Sequence, residues 1–319
     1  MPLHPDVTAL ISLLTTWQKE NNVPARTAEN FPEQREWGRR QFPLKKTVED
    51  RAGVRVERST IPTRGGKRPV IIYRPEGRTN LPTLVFVHGG GYAVGSIDDV
   101  HHEALRLAAS VPANVVSMSY RLAPEHPWPA GIDDGEDIIE AIASGVIPDL
   151  ETKKIGFGGI SAGAGLVAAV TQRFLAKGNS PLGLLFLMSP WLDLTQTLPA
   201  TQIYGTGYML ERTLLDIFIE AYRGNNPALV EDPEVSPARH PLPANWPATI
   251  ILSAECDPLA DDAAIFSRRL TEADIPHVWR VARGMPHAFH AWVGQLPSAS
   301  TETDWLDAHL RNWFANGSL

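Results

Sequence analysis

Short, continuously apolar runs alternate along most of the chain with longer stretches in which apolar residues recur at helical spacing. The runs occupy residues 84–87, 115–118, 155–157, 184–188, 249–252 and 278–281. A run with no polar alternate belongs to a strand covered on both faces, the usual situation in a parallel sheet flanked by helices. The intervening segments 101–110, 131–143, 162–175, 261–273 and 303–314 read as those helices. Ahead of them, residues 54–58 alternate with period 2, and 70–73 follow the Gly65-Gly66 turn, which predicts an antiparallel start. The alternation of strand and helix predicts an α/β fold built on a mostly parallel, eight-stranded sheet.

Two regions depart from this rhythm. Near the start, Leu10, Ile11, Leu13, Leu14 and Trp17 recur at helical spacing after Asp6, read as the N-cap, and Pro24 closes the segment. A second short helix is expected around residues 32–40. Later, residues 192–240 carry clusters of Thr, Pro, Gly and Asn around one helical stretch at 210–222. That excursion is too long for an ordinary connection and reads as a lid or binding element. The expected organisation is an N-terminal part of a helical cap at 1–45, a first part of the core at 46–191, a cap insertion at 192–240 and a second part of the core at 241–319.

Composition narrows the function. The 319 residues carry 29 Lys plus Arg against 36 Asp plus Glu, a net charge of −7, so the chain lacks the concentrated basic surface a nucleic-acid binder needs. With 43% hydrophobic and 20% charged residues it can bury a sizeable core. Its one cysteine, Cys256, permits neither an intrachain disulfide nor a Cys-based zinc site, and suggests a reducing compartment. The start Met1-Pro2-Leu3-His4-Pro5 has no signal-peptide pattern, and no apolar run reaches the roughly 18 residues of a membrane span. The expectation is a cytoplasmic protein with no membrane partner.

The strongest chemical signal is Gly159-Ile160-Ser161-Ala162-Gly163, between a buried strand and a helix. A serine on such a tight turn needs small residues on either side. The turn lifts its hydroxyl clear of the sheet and aims the Ala162 N–H at the same space. Neither this segment nor residues 89–95 carries G-x-G-x-x-G or a P-loop, so nucleotide binding is set aside. His88-Gly89-Gly90-Gly91 ends another buried strand, where consecutive glycines let backbone N–H groups converge on one point as further oxyanion donors. His88 itself reads as a shaper of that loop.

A serine hydroxyl needs a base, and the base an orienting acid. Downstream, Asp257 follows the strand at 249–252, and His287 follows the strand at 278–281, 96 and then 30 residues further on. Glu255, Asp261 and Asp262 compete for the acid, and His290 for the base. The His101-His102-Glu103 triplet fits no zinc signature and reads as polar surface or pocket rim. Tyr92, Ile160, Trp191, Tyr208 and Phe289 are the expected walls of an apolar substrate pocket, although aromatics of this kind also serve simply as core.

Taken together, His88-Gly89-Gly90-Gly91-Tyr92, the segment from Tyr120 to Ala130, the serine elbow, Asp257-Pro258-Leu259 and His287-Ala288-Phe289 resemble the hormone-sensitive-lipase-like esterases of the α/β-hydrolase superfamily. The resemblance runs from about residue 50 to the C-terminus, and the helical N-terminal segment matches the family's cap. It implies an α/β-hydrolase fold with Ser161 as nucleophile, His287 as base, Asp257 as its orienting acid, and Gly89, Gly90 and Ala162 as oxyanion donors. It also implies a lid made from the N-terminal helices together with residues 192–240. One departure stands out. The family places an acidic residue immediately before the nucleophile, where this chain has Ile160. The implied activity is hydrolysis of short- to medium-chain acyl esters through an acyl-enzyme, with no metal and no cofactor, on a small-molecule ester. A homodimer stays open. The alternatives are a lactonase or amidase on the same triad, or a relative that binds a small ligand without turnover.

Overall fold

The computed structural model describes residues 2–24, 26–27, 29–39 and 53–319. The expected boundary between cap and core at 45/46 lies outside the described residues. The chain runs α1 (Pro5–Glu20), α2 (Phe31–Arg39), β1 (Val54–Thr63), β2 (Gly66–Pro75), β3 (Thr83–Val87), α3 (His101–Ser110), β4 (Asn114–Met118), α4 (Ala130–Ala143), β5 (Ile155–Ile160), α5 (Ala162–Lys177), β6 (Leu182–Met188), α6 (Pro199–Ile203), α7 (Arg212–Arg223), β7 (Ala248–Cys256), α8 (Ala260–Glu272), β8 (His277–Pro286) and α9 (Pro297–Asn316). The eight strands form one sheet in the order β1-β2-β4-β3-β5-β6-β7-β8. β1 pairs antiparallel with β2, and β2 with β4, while every pairing from β4 to β8 is parallel.

The apolar runs explain the layering. Successive side chains of a strand face opposite sides of its sheet. In β3, Val85 and Val87 therefore join the layer of α4, α5 and α8, with Ile138, Val167 and Phe266, while Leu84 and Phe86 join the layer of α3 and α9, with Leu105 and Leu306. Each face of the sheet has its own core. The parallel order places the carboxyl ends of β3, β5, β7 and β8 on one edge, so the loops beginning at His88, Ser161, Asp257 and His287 meet there.

The ends of the chain bring two corrections. Asp6 lies in the first turn of α1, not at its cap: His4 holds the cap position and Pro5 the first helical one, where its missing N–H costs nothing. α9 starts at Pro297, six residues before the periodicity suggested, for the same reason. The short α6 has no sequence signal beyond the proline that opens it. α1 is docked rather than suspended. Val7 and Leu10 are buried in the α3/α9 layer, Leu13 faces solvent, and the His4 N–H donates to the Gly284 carbonyl at 2.9 Å. α2 leans the other way, with Phe31 stacked on Phe218 of α7 at 6.0 Å between ring centres. Among the described residues no helix is long and apolar enough to cross a membrane.

Candidate active site

β5 ends in a sharp turn. Ser161 takes φ 55° and ψ −122°, a backbone conformation L residues rarely adopt, immediately before the first turn of α5. The turn is possible because the neighbouring strand passes so close: a Cβ on Gly163 would lie 2.5 Å from the His88 carbonyl oxygen and 2.6 Å from that of Val87. Only a glycine lets α5 sit against the end of β3. Among the described residues the Ser161 hydroxyl has no hydrogen-bond partner, and Ser161 forms part of a cavity wall.

The loop after β3 lies beside it. A Cβ on Gly89 would approach Cβ of Ser161 to 3.2 Å, and Gly90 has φ 116°, with the Val94 carbonyl where a side chain would go. Among the described residues the N–H groups of Gly89, Gly90 and Ala162 donate to no protein acceptor. They are three uncommitted donors around one serine. The loop is held from behind. The buried His88 ring contacts the Gly89 carbonyl through Nδ1 at 2.8 Å and stacks on Tyr120, whose hydroxyl donates to the His88 carbonyl at 3.2 Å. Burial keeps His88 below its ordinary pKa, as suits a neutral structural ring.

The segment after Tyr120 braces both the glycine loop and α2. The Ala123 N–H donates to the Tyr92 carbonyl, Arg121 pairs with the buried Asp134, and Trp128 Nε1 donates to Glu234. Arg35 of α2 donates to the carbonyls of Ala93 at 2.8 Å and Ala123 at 2.7 Å, and forms a two-pronged pair with Glu125. One guanidinium thus ties α2 to the end of the glycine loop and to the segment that braces it.

Asp257 and His287 meet at the carboxyl ends of β7 and β8. His287 Nδ1 lies 2.8 Å from Asp257 Oδ2, while Asp257 Oδ1 accepts the Leu259 N–H at 2.9 Å. Asp257 is 1% exposed and His287 8%. Each rival acid has other work. Glu255 accepts from Arg283 and the Gly284 N–H, and Asp261 accepts the Ala200 N–H. Asp262 accepts the N–H groups of Leu192 and Asp193, with burial raising its pKa well above the usual carboxylate range. His101 contacts the Tyr73 hydroxyl, and His102 the Val293 carbonyl.

Ser161, His287, Gly89 and Gly90 line one cavity of about 290 Å³, together with Trp191 and with Leu210, Leu215 and Phe218 from the 192–240 excursion. Of the five expected pocket residues, Ile160 and Trp191 are in its wall and three are not. Tyr92 stacks on Tyr222 at 3.8 Å within the core, Phe289 is fully buried, and Tyr208 packs edge-on against Tyr204. Leu210, Leu215 and Phe218 take their place. They were overlooked because an amphipathic helix does not reveal from sequence which cavity its apolar face will roof.

His290 also borders the cavity, buried, with neither ring nitrogen hydrogen-bonded. Burial, then the neighbouring His287 and Arg106, push its pKa down to about 3. The unfolded chain therefore binds a proton here below the ordinary value of about 6.5 that the folded one refuses, so stability falls as pH drops from about 6.5 toward 3. Between pH 6 and 4, His290→Leu should flatten the pH dependence of urea unfolding by up to about 1.4 kcal/mol per pH unit. Equal slopes in both proteins would show that His290 is not held neutral.

Residues 84–291 match the family described as having the alpha/beta hydrolase fold. The chain is 29% identical to an ethyl acetate hydrolase of Pseudomonas putida, over 91% of this chain and 92% of the relative. It is 32% identical to carboxylesterase NlhH of Mycobacterium tuberculosis, over 74% and 75%. Among solved structures, a hyperthermophilic esterase from the archaeon Pyrobaculum calidifontis superposes with a TM-score of 0.88 at 29% identity, covering 98% of this chain and 99% of the other. The ester-hydrolase EH1AB1 from the metagenome of Lake Arreo gives 0.90 at 26% identity, covering 98% and 100%.

Proposed function

Because this chain belongs to the α/β-hydrolase family, we propose that it is a serine carboxylesterase in which Ser161, His287 and Asp257 form the catalytic triad. The observation that carries the reading is the convergence of Ser161, the Asp257-bound His287 and the Gly89-Gly90 loop on one small cavity. His287 Nε2 takes the Ser161 proton as Oγ attacks the ester carbonyl. The oxyanion of the tetrahedral intermediate is held by the N–H groups of Gly89, Gly90 and Ala162. Protonated His287, stabilised by Asp257, returns the proton to the departing alcohol, then activates a water that releases the acid and restores the serine. Ile160 supplies no proton and no charge to these steps; its side chain walls the cavity.

The two relatives and the two structures above are named for ester hydrolysis, which supports esters over lactones and amides. Small-molecule esters are the substrates of this reading. Residues 1–45 and 192–240 serve as the cap, supported by the Phe31–Phe218 contact between its two parts. The single cysteine fits an enzyme of the cytoplasm.

A cavity of about 290 Å³ roofed by Leu210, Leu215 and Phe218 suits short to medium acyl chains. Across p-nitrophenyl esters of increasing chain length, kcat/KM should peak at or below about eight carbons and fall about tenfold or more by sixteen, since a longer chain leaves methylenes outside the cavity. A rate that rises steadily to sixteen carbons would overturn the acyl preference. Failure to hydrolyse any ester of the series would overturn the esterase reading itself.

A further inference from the structure

The cavity wall is mostly apolar, yet it includes one arginine, Arg26, from the segment between α1 and α2. Elsewhere in the fold Arg35, Arg106 and Arg121 are each held by a carboxylate. Arg26 is not. Among the described residues it makes no hydrogen bond and no ion pair, and it keeps access to solvent. Two acids share the cavity wall, Asp99 and Glu103, and both are engaged elsewhere. Asp99 accepts from the Ser96 hydroxyl at 2.9 Å, and each has a further interaction in which Arg26 takes no part. A cation left uncommitted in the wall of the cavity that Ser161 also lines, in a protein whose net charge is −7, has a planar fork suited to two carboxylate oxygens and no such group of its own to hold.

We propose that the substrates of this enzyme are esters that carry a carboxylate, and that Arg26 binds that carboxylate while the ester bond lies at Ser161. The proposal rests on the esterase reading above and names its substrate class. Arg26 is a specificity residue, since it touches the far end of the substrate and not the reacting atoms. The apolar walls at Trp191, Leu215 and Phe218 take the remainder of the molecule.

The test uses esters matched in size that differ only in charge. Ethyl hydrogen succinate and ethyl succinamate place the carboxylate or carboxamide on the acyl side; 4-acetoxybenzoate and 4-acetoxybenzamide place it on the alcohol side. For each pair the readout is the ratio of kcat/KM for the acid to that for the amide, which cancels intrinsic reactivity when wild type and variant are compared. In at least one pair, Arg26→Gln should lower this ratio about tenfold, Arg26→Lys should restore part of it, and added salt should lower it in the wild type. The responding pair identifies the side of the ester on which the carboxylate sits. A change below about threefold in both pairs, or wild-type turnover of the amides with none of the acids, would overturn the role of Arg26. No turnover of any of the four esters would instead count against the esterase reading.

Discussion

Ser161→Ala should lower kcat for ester hydrolysis by about 10⁶-fold, leaving folding and substrate binding in place. The alteration removes one oxygen from a side chain that no hydrogen bond secures among the described residues, so little in the fold depends on it. The turn at φ 55° is kept in place by the close approach of Gly163 to the ends of β3, not by the hydroxyl. Thermal unfolding within a few degrees of wild type, together with loss of covalent labelling by a fluorophosphonate, is the expected pair of results. A Ser161→Ala protein that keeps even a hundredth of its activity would mean that another group attacks the ester.

Asp257→Asn should cost about 10⁴-fold in kcat, with KM little changed. Asp257 Oδ2 accepts from His287 Nδ1, which fixes the ring with Nε2 bare and able to take the serine proton. An amide at this position can donate its own N–H to Nδ1, which moves the ring proton to Nε2, where it blocks that acceptance. The loss is therefore one of tautomer rather than of geometry. Fluorophosphonate labelling should slow in proportion, whereas Glu255→Gln, which alters a pair with Arg283 at the surface of the same strand, should leave labelling near the wild-type rate. Equal losses from the two variants would transfer the orienting role away from Asp257.

The inner strands of the sheet were legible because they are buried on both faces. The runs at 84–87, 115–118, 155–157, 184–188 and 249–252 are buried throughout and lie within strands, whereas the run at 278–281 lies in the edge strand β8, where Trp279 is exposed and Arg280 pairs with Glu302. The elbow and the Asp–His pair were legible for a related reason: each follows directly on such a run, so locating the strand locates the turn. Pocket walls obey no comparable rule. Tyr92 and Phe289 stand beside motif residues in sequence, yet their rings turn into the core, because neighbouring residues at a tight turn point in different directions. Arg26 was missed for the opposite reason. It belongs to no motif, and only the packing of the segment between α1 and α2 brings it to a cavity built by residues more than 60 positions away.

Arg35 gives the packing of α2 a second meaning. The same side chain that seats α2 also grips the carbonyl of Ala93, at the end of the loop that carries Gly89 and Gly90, and that of Ala123, in the segment that braces it. Lifting α2 would take that support away. The donors would then lose their fixed aim, and donors that must reorient during the reaction stabilise charge poorly. On the esterase reading, one side chain therefore sets both the seat of α2 and the aim of the donors.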